Sequence, residues 1–260
     1  MSAGNEGSVR AILYALGANF GIAVAKFGAA WWTNSGSMLA EAIHSTADCV
    51  NQLLLLLGMR EARRPESVDH PLGYHRVTYF WSMIVALLLF FMGGAFSVYE
   101  GIERLRHPHA LENGLVALIV LGVAVVLEAF SLAGAMREIR KTARGKPFLR
   151  WFRETRESEL MVVAGEDIAA LAGLTLAFVA VAATALTGNP MWDALGTMSV
   201  GVVLMVIAVL VMIEVKGLIV GESASPELRE EIQTFVAAQP EVAEVLNVIT
   251  LAWGDKVVIA

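Results

Sequence analysis

The chain has 260 residues, 57% of them hydrophobic and only 17% charged, with a formal net charge of -6 at pH 7. A soluble domain carries about a quarter of its residues charged, so this composition excludes an ordinary water-soluble fold and places the chain in a bilayer. Cys49 is the single cysteine, which excludes an internal disulfide and any thiolate cluster of the zinc-finger kind. A metal held here must be held by nitrogen and oxygen.

The first ten residues, MSAGNEGSVR, lack a charged region followed by a short apolar core and a small-residue cleavage site. They are expected to form a short cytoplasmic segment, with the apolar stretch after them retained. Six apolar segments then follow at 11–32, 36–60, 77–100, 111–137, 158–187 and 191–214. Each can cross a hydrocarbon core that needs about 20 apolar residues. Uninterrupted runs such as Ile84 to Phe91 and Val116 to Leu127 have no period-two alternation, so helices rather than barrel strands are predicted. The predicted class is an all-α membrane protein with six transmembrane helices over 11–216.

Ionisable groups at membrane depth cost about 2.5 to 3.5 kcal/mol each on insertion scales, so each needs a reason. Segment one carries Lys26 and segment four carries Glu128, which are expected to form a structural polar pair inside the bundle. Segment two places Glu41, His44, Asp48 and Asn51 at spacings of three, four and three, on one helical stripe. An imidazole and a carboxylate one turn apart let a helix present two ligands to one cation, which makes His44 and Asp48 the leading metal candidates. Glu41 and Asn51 suit interhelical hydrogen bonding as well as ligation or proton transfer.

The connection after segment two holds Arg60, Arg63, Arg64 and Arg76, together with His70 and His75. The end of segment three gathers Tyr99, Glu100, Glu103 and His107, which read as a solvated rim. The connection after segment four is strongly basic, with Arg137, Arg140, Lys141, Arg144, Lys146, Arg150, Arg153 and Arg156. By the positive-inside rule both termini are cytoplasmic, and lipid headgroups rather than nucleic acid are the expected partners of these loops. The expected setting is a bacterial inner membrane.

Segment five contains Glu166 and Asp167 among the small residues Gly165, Ala169, Ala170 and Gly173, which let helices approach closely. Adjacent side chains on a helix point about 100° apart, so one carboxylate is expected to be a ligand and the other a partner or proton site. Asp193, after Asn189 and Pro190, is expected to serve the start of segment six.

Residues 217–260 change character. Ser225 and Pro226 open an amphipathic helix with Leu228, Ile232, Phe235 and Val236 on one face. Val245 to Leu251 and Lys256 to Ile259 read as two strands around a Gly254-Asp255 turn. This is expected to be the start of an α+β cytoplasmic domain, apparently truncated, because so small a sheet is marginal alone.

Four stretches together resemble the cation diffusion facilitator family, which includes the animal zinc transporters of solute carrier family 30. They are SGSMLAEAIHSTAD, DHPLGYHR leading into YFWS, YEGIERLRHP and WDALGTMSVG. The resemblance implies a homodimer, a ferredoxin-like cytoplasmic domain, and exchange of metal for protons at a tetrahedral site with two ligands from each of two helices. His44 and Asp48 match the first pair and Asp167 the second acidic ligand. Val163 stands where the family has His or Asp, so the fourth ligand is missing. This departure, with Glu166-Asp167, resembles the branch of the mitochondrial zinc exporter of animals. His70 matches a histidine of an accessory zinc site in some bacterial members, whereas Tyr74 stands where those members place another.

The function expected is therefore a zinc/proton antiporter without further cofactors. Manganese, iron or cobalt is the alternative cargo if Glu166, Asn51 or water adds oxygen donors. An intramembrane hydrolase using His44, Ser45 and Asp48 is a distant alternative, because Ser45 points some 100° away from His44 and no GxSxG or HExxH motif occurs.

Overall fold

The computed structural model describes residues 3–33, 36–108, 114–143, 145–254 and 256–259, with the side chains of 3–8, 11, 29, 30, 32, 33 and 36–44 outside the description. All six apolar segments are helical. They form α1 (Ala3–Thr33), α2 (Gly36–Glu61), α3 (Val77–Leu88) continuing through a π-helical segment Leu89–Ala95 into α4 (Phe96–Arg106), then α5 (Gly114–Thr142), α7 (Ser158–Thr187) and α8 (Met191–Val220). Between α5 and α7 the basic connection contains a short helix, α6 (Phe148–Glu154), whose Trp151 is buried against Ile139, Leu160 and Ala164.

Among the described residues four of these helices are long and apolar enough to cross a membrane: Val77–Arg106, Gly114–Thr142, Ser158–Thr187 and Met191–Val220. In α1 the apolar stretch Ile12–Gly28 is shorter, and α2 is diluted by Asp48, Asn51 and Gln52. Phe20, Phe91, Phe130, Leu115, Val206 and Ile213 are all more than half exposed on the outside of the bundle. A continuous apolar exterior of this kind suits lipid rather than water.

The bundle closes around Ile12, Leu55, Met59, Val85, Val163, Val211 and Val215, which form one apolar core shared by α1, α2, α3, α7 and α8. The most extensive packing is α7 on α8, followed by α1 on α2 and on α5, and α5 on α7. The π-helical segment lies where Gly94 meets Gly201 of α8. A Cβ on Gly201 would stand 2.6 Å from the Gly94 carbonyl oxygen and 2.7 Å from the Val98 nitrogen. Glycine is therefore required for this backbone approach, and the glycine pair coincides with the local unwinding.

Helix α9 (Pro226–Ala237) starts as its sequence predicts, with the Ser225 side chain accepting from the Leu228 N–H and Pro226 in the first turn. The strands differ from expectation: β1 spans Thr250–Trp253 and β2 Lys256–Ile259, paired antiparallel with Thr250 opposite Ile259 and Trp253 opposite Lys256. Residues 245–249 are not strand, because the four-residue β2 offers ladder partners only as far as Thr250. Gly254 holds the turn at a φ of 65°, while Asp255 lies outside the described residues. One helix and one hairpin are what the described residues contain here, less than a complete ferredoxin-like sheet.

This segment is fastened to the helix bundle. Tyr79 Oη donates to the Gly254 carbonyl at 3.3 Å and accepts from its N–H at 2.9 Å. Trp253 Nε1 donates to the Leu72 carbonyl at 3.0 Å, and the Arg76 guanidinium lies 4.8 Å from the Trp253 ring centre. Arg156 pairs with Glu222 at 2.7 Å, and Lys146 bridges Glu154 and Glu227, each at 2.7 Å.

Candidate metal transport site

The helical rise places Asp48, Asn51 and Gln52 of α2 inside the bundle. Asn51 and Gln52 are buried and Asp48 is half-buried on the wall of a cavity of about 160 Å³. His44 and Glu41 belong to the same helix, one and two turns earlier, but their side chains lie outside the described residues. What the structure settles for α2 is thus the placement of Asp48 and Asn51.

Helix α7 answers with two buried carboxylates that take different partners, as a turn of about 100° per residue requires. Glu166 Oε1 accepts from Asn51 Nδ2 at 3.2 Å, and Asp167 Oδ2 accepts from Ser131 Oγ of α5 at 3.0 Å. The second oxygen of each, Glu166 Oε2 and Asp167 Oδ1, is buried without a hydrogen-bond partner among the described residues. Both carboxylates lie within electrostatic reach of Asp48. Buried oxygens left open beside further negative charge are costly unless a proton or cation completes them.

Val163, one turn before Asp167, is fully buried among the aliphatic side chains of the central core. It offers no donor atom, and its surroundings are apolar. In this part of α7 the buried carboxylate oxygens are those of Glu166 and Asp167.

Lys26 and Glu128 are both buried and line the same cavity as Asp48. Lys26 Nζ donates to Ser45 Oγ at 2.9 Å, whereas Glu128 Oε2 has no hydrogen-bond partner among the described residues. At the other end of the cavity, Arg104 of α4 pairs with Glu100 and reaches across to Asp193 of α8. Asp193 thus serves more than its own helix start, and Glu100 is a wall of the cavity rather than only a solvated rim.

The loop histidines sit apart. The His70 ring stacks on Tyr74 at 4.3 Å between centres, and its backbone N–H is bound by Ser67 Oγ at 3.2 Å. Among the described residues no group of three or more His, Cys, Asp or Glu side chains gathers at His70 or elsewhere in metal-holding proximity. His75 lines a separate cavity of about 610 Å³ at the junction with the C-terminal segment.

Sequence reasoning missed three residues here. Ser131 holds Asp167, Ser45 holds Lys26, and Gln52 is fully buried with neither amide atom hydrogen-bonded among the described residues. Serine is common in helices, so Ser131 carried one usable signal: it lies one turn after Glu128 within the otherwise apolar stretch 115–136.

Comparison with known proteins bears on this arrangement. The sequence profile of the cation efflux transmembrane domain matches residues 12–219. The mitochondrial proton-coupled zinc antiporter of Xenopus laevis is 35% identical over 222 residues, covering 84% of this chain and 40% of that protein. Metal tolerance protein C4 of Arabidopsis thaliana is 31% identical over 235 residues, covering 89% of this chain and 51% of that protein. The zinc transporter ZitB of Escherichia coli is 30% identical over 128 residues, covering 49% of this chain and 41% of that protein. The chain spans about two fifths to a half of the length of these relatives.

Proposed function

The chain belongs to the cation diffusion facilitator family, through its cation efflux transmembrane domain, and from this we propose that it exports divalent metal ions, zinc foremost, in exchange for protons. The observation that carries the proposal is the pair of buried carboxylates on α7, Glu166 and Asp167, each with one oxygen lacking a hydrogen-bond partner among the described residues and each within electrostatic reach of Asp48 on α2. His44, Asp48 and Asp167 are the proposed ligands, and Glu166, bound by Asn51, is the proposed oxygen donor or proton site beside them.

Exchange with protons has an energetic reason. Expelling a divalent ion against 100 mV costs about 4.6 kcal/mol, and each entering proton returns about 2.3 kcal/mol plus its share of the pH gradient. A carboxylate or imidazole must shed its proton to coordinate metal. Competition between metal and protons for the same groups therefore couples the two fluxes, with the site exposed alternately to each side. In this reading α1 and α2 also cross the membrane, both termini face the cytoplasm, and two copies associate. The basic connections suit the negative side of any energised inner membrane, and relatives named as mitochondrial extend the setting beyond the bacterial inner membrane.

Family membership sets aside the hydrolase reading, since the family consists of transporters, and Ser45 Oγ is occupied by the Lys26 ammonium. Manganese, iron and cobalt remain the competing cargoes, favoured over zinc as oxygen donors replace nitrogen. Reconstituted protein offered a panel of zinc, manganese, iron and cobalt, in wild-type, Glu166→Ala and Asp167→Ala forms, tests this. Transport of zinc above the others, abolished in Asp167→Ala, is the expected result; transport of none of the four would refute it.

A further inference from the structure

The missing donor at Val163 leaves the site short of one protein ligand, and α5 holds a buried carboxylate, Glu128, on the wall of the same cavity as Asp48. Glu128 is 2% exposed, lines the cavity beside Asp48, and keeps Oε2 without a hydrogen-bond partner among the described residues. Ser131, one turn further along α5, donates to Asp167. Side chains three apart on a helix share a face, so the Glu128 face of α5 is the one that meets Asp167 of α7. Glu128 also lies within electrostatic reach of both Asp48 and Asp167. Lys26 contributes one positive charge to a wall that holds Asp48 and Glu128, with Glu166 and Asp167 close behind. A divalent cation is the charge that such a group lacks.

We propose that Glu128 is a metal-ligating residue of the transport site, contributing from α5 the carboxylate that Val163 does not contribute from α7. The proposal rests on the transport reading given above. It adds to the structural pairing with Lys26 expected from sequence: Lys26 donates to Ser45 in the same cavity and stays within electrostatic reach of Glu128.

The test is metal binding by the purified full chain in detergent, read by zinc calorimetry and by the visible absorption of bound cobalt. Glu128→Gln keeps the side chain's size and removes its charge, and Glu128→Asp keeps the charge on a shorter stem. Zinc affinity is expected to fall at least about tenfold in Glu128→Gln, with a changed cobalt spectrum, and to recover in part in Glu128→Asp. A merely electrostatic role makes a different forecast for Glu128→Gln combined with Lys26→Met, which restores the charge balance. Recovery of wild-type affinity and spectrum in that double variant, or unchanged affinity in Glu128→Gln, overturns the proposal. If wild-type protein binds neither metal, the transport reading itself falls and Glu128 falls with it. If wild type and Glu128→Gln bind alike while Asp48→Asn does not, only Glu128 is refuted.

Discussion

Asn51 Nδ2 donates to Glu166 Oε1 across 3.2 Å, and this contact joins α2 to α7 one turn beyond Asp48. Both side chains are buried, so the bond is the local replacement for water that neither can reach. Asn51→Leu strands the glutamate and should destabilise the folded protein by about 1 to 3 kcal/mol. Glu166→Leu added to it removes both polar partners and should return most of that loss. Unfolding in mixed detergent micelles separates the two outcomes, and equal destabilisation of single and double variants would show that the pair is not coupled.

In the proposed transport site, Ser131 would act on the metal through Asp167. Its hydroxyl is the hydrogen-bond donor that fixes Oδ2 and leaves Oδ1 open. Groups that orient a ligand typically matter by about 10-fold to 100-fold in affinity. Ser131→Ala should therefore raise the zinc concentration for half-maximal transport by at least about tenfold, with wild-type yield and monodispersity.

The Gly94 and Gly201 crossing is a stability determinant. A Cβ at 201 meets backbone atoms at 2.6 and 2.7 Å, which no side-chain rotation relieves. Gly201→Val should destabilise by about 1 to 3 kcal/mol or more and separate α4 from α8. A chemical cross-link between cysteines placed on those two helices should form more slowly in that variant.

Acid should loosen the C-terminal segment before it affects the bundle. Hydrogen bonds from Lys146 and Arg150 hold the Glu154 carboxyl below its ordinary value, and Lys146 likewise lowers Glu227. The same bonds raise Lys146 above its ordinary value. The depressed carboxyls contribute stability that is present above the ordinary carboxylate pKa near 4.5 and is lost as pH falls through their lowered values. Lysine's contribution is present at neutral pH and lost only in strong alkali, above its ordinary 10.5. Protection of α9 amides from deuterium exchange, relative to the intrinsic rate at each pH, should thus be constant near neutrality and fall in acid, and Lys146→Met should weaken that dependence.

Much of the arrangement was legible in the sequence because the membrane enforces it. Apolar length marks four helices of the bundle as long enough to cross a membrane, and charge at membrane depth marks the half-buried Asp48 and the buried Glu128, Glu166 and Asp167 as residues that need partners. The helix turn also forecast that Glu166 and Asp167 face different neighbours, here Asn51 and Ser131. Which neighbour each one takes depends on the crossing of α5 and α7, and no local spacing encodes it. The assignment of Lys26 failed to include Ser45 for the same reason, since the contact is set by the packing of α1 on α2. Strand β1 was misplaced because its limits are set by the length of its partner and by Thr250, which binds the Ala224 N–H at 3.1 Å. The π-helical segment is a response to α8 passing at Gly94, visible beforehand only as two consecutive glycines.

The decisive measurement is zinc uptake into proteoliposomes driven by an imposed pH gradient, comparing wild type with Asp48→Ala. Wild-type protein should take up zinc, lose that uptake when a proton ionophore dissipates the gradient, and fall to the level of empty liposomes on Asp48→Ala. Uptake that persists in Asp48→Ala, or that ignores the loss of the gradient, would contradict a proton-coupled site built on Asp48.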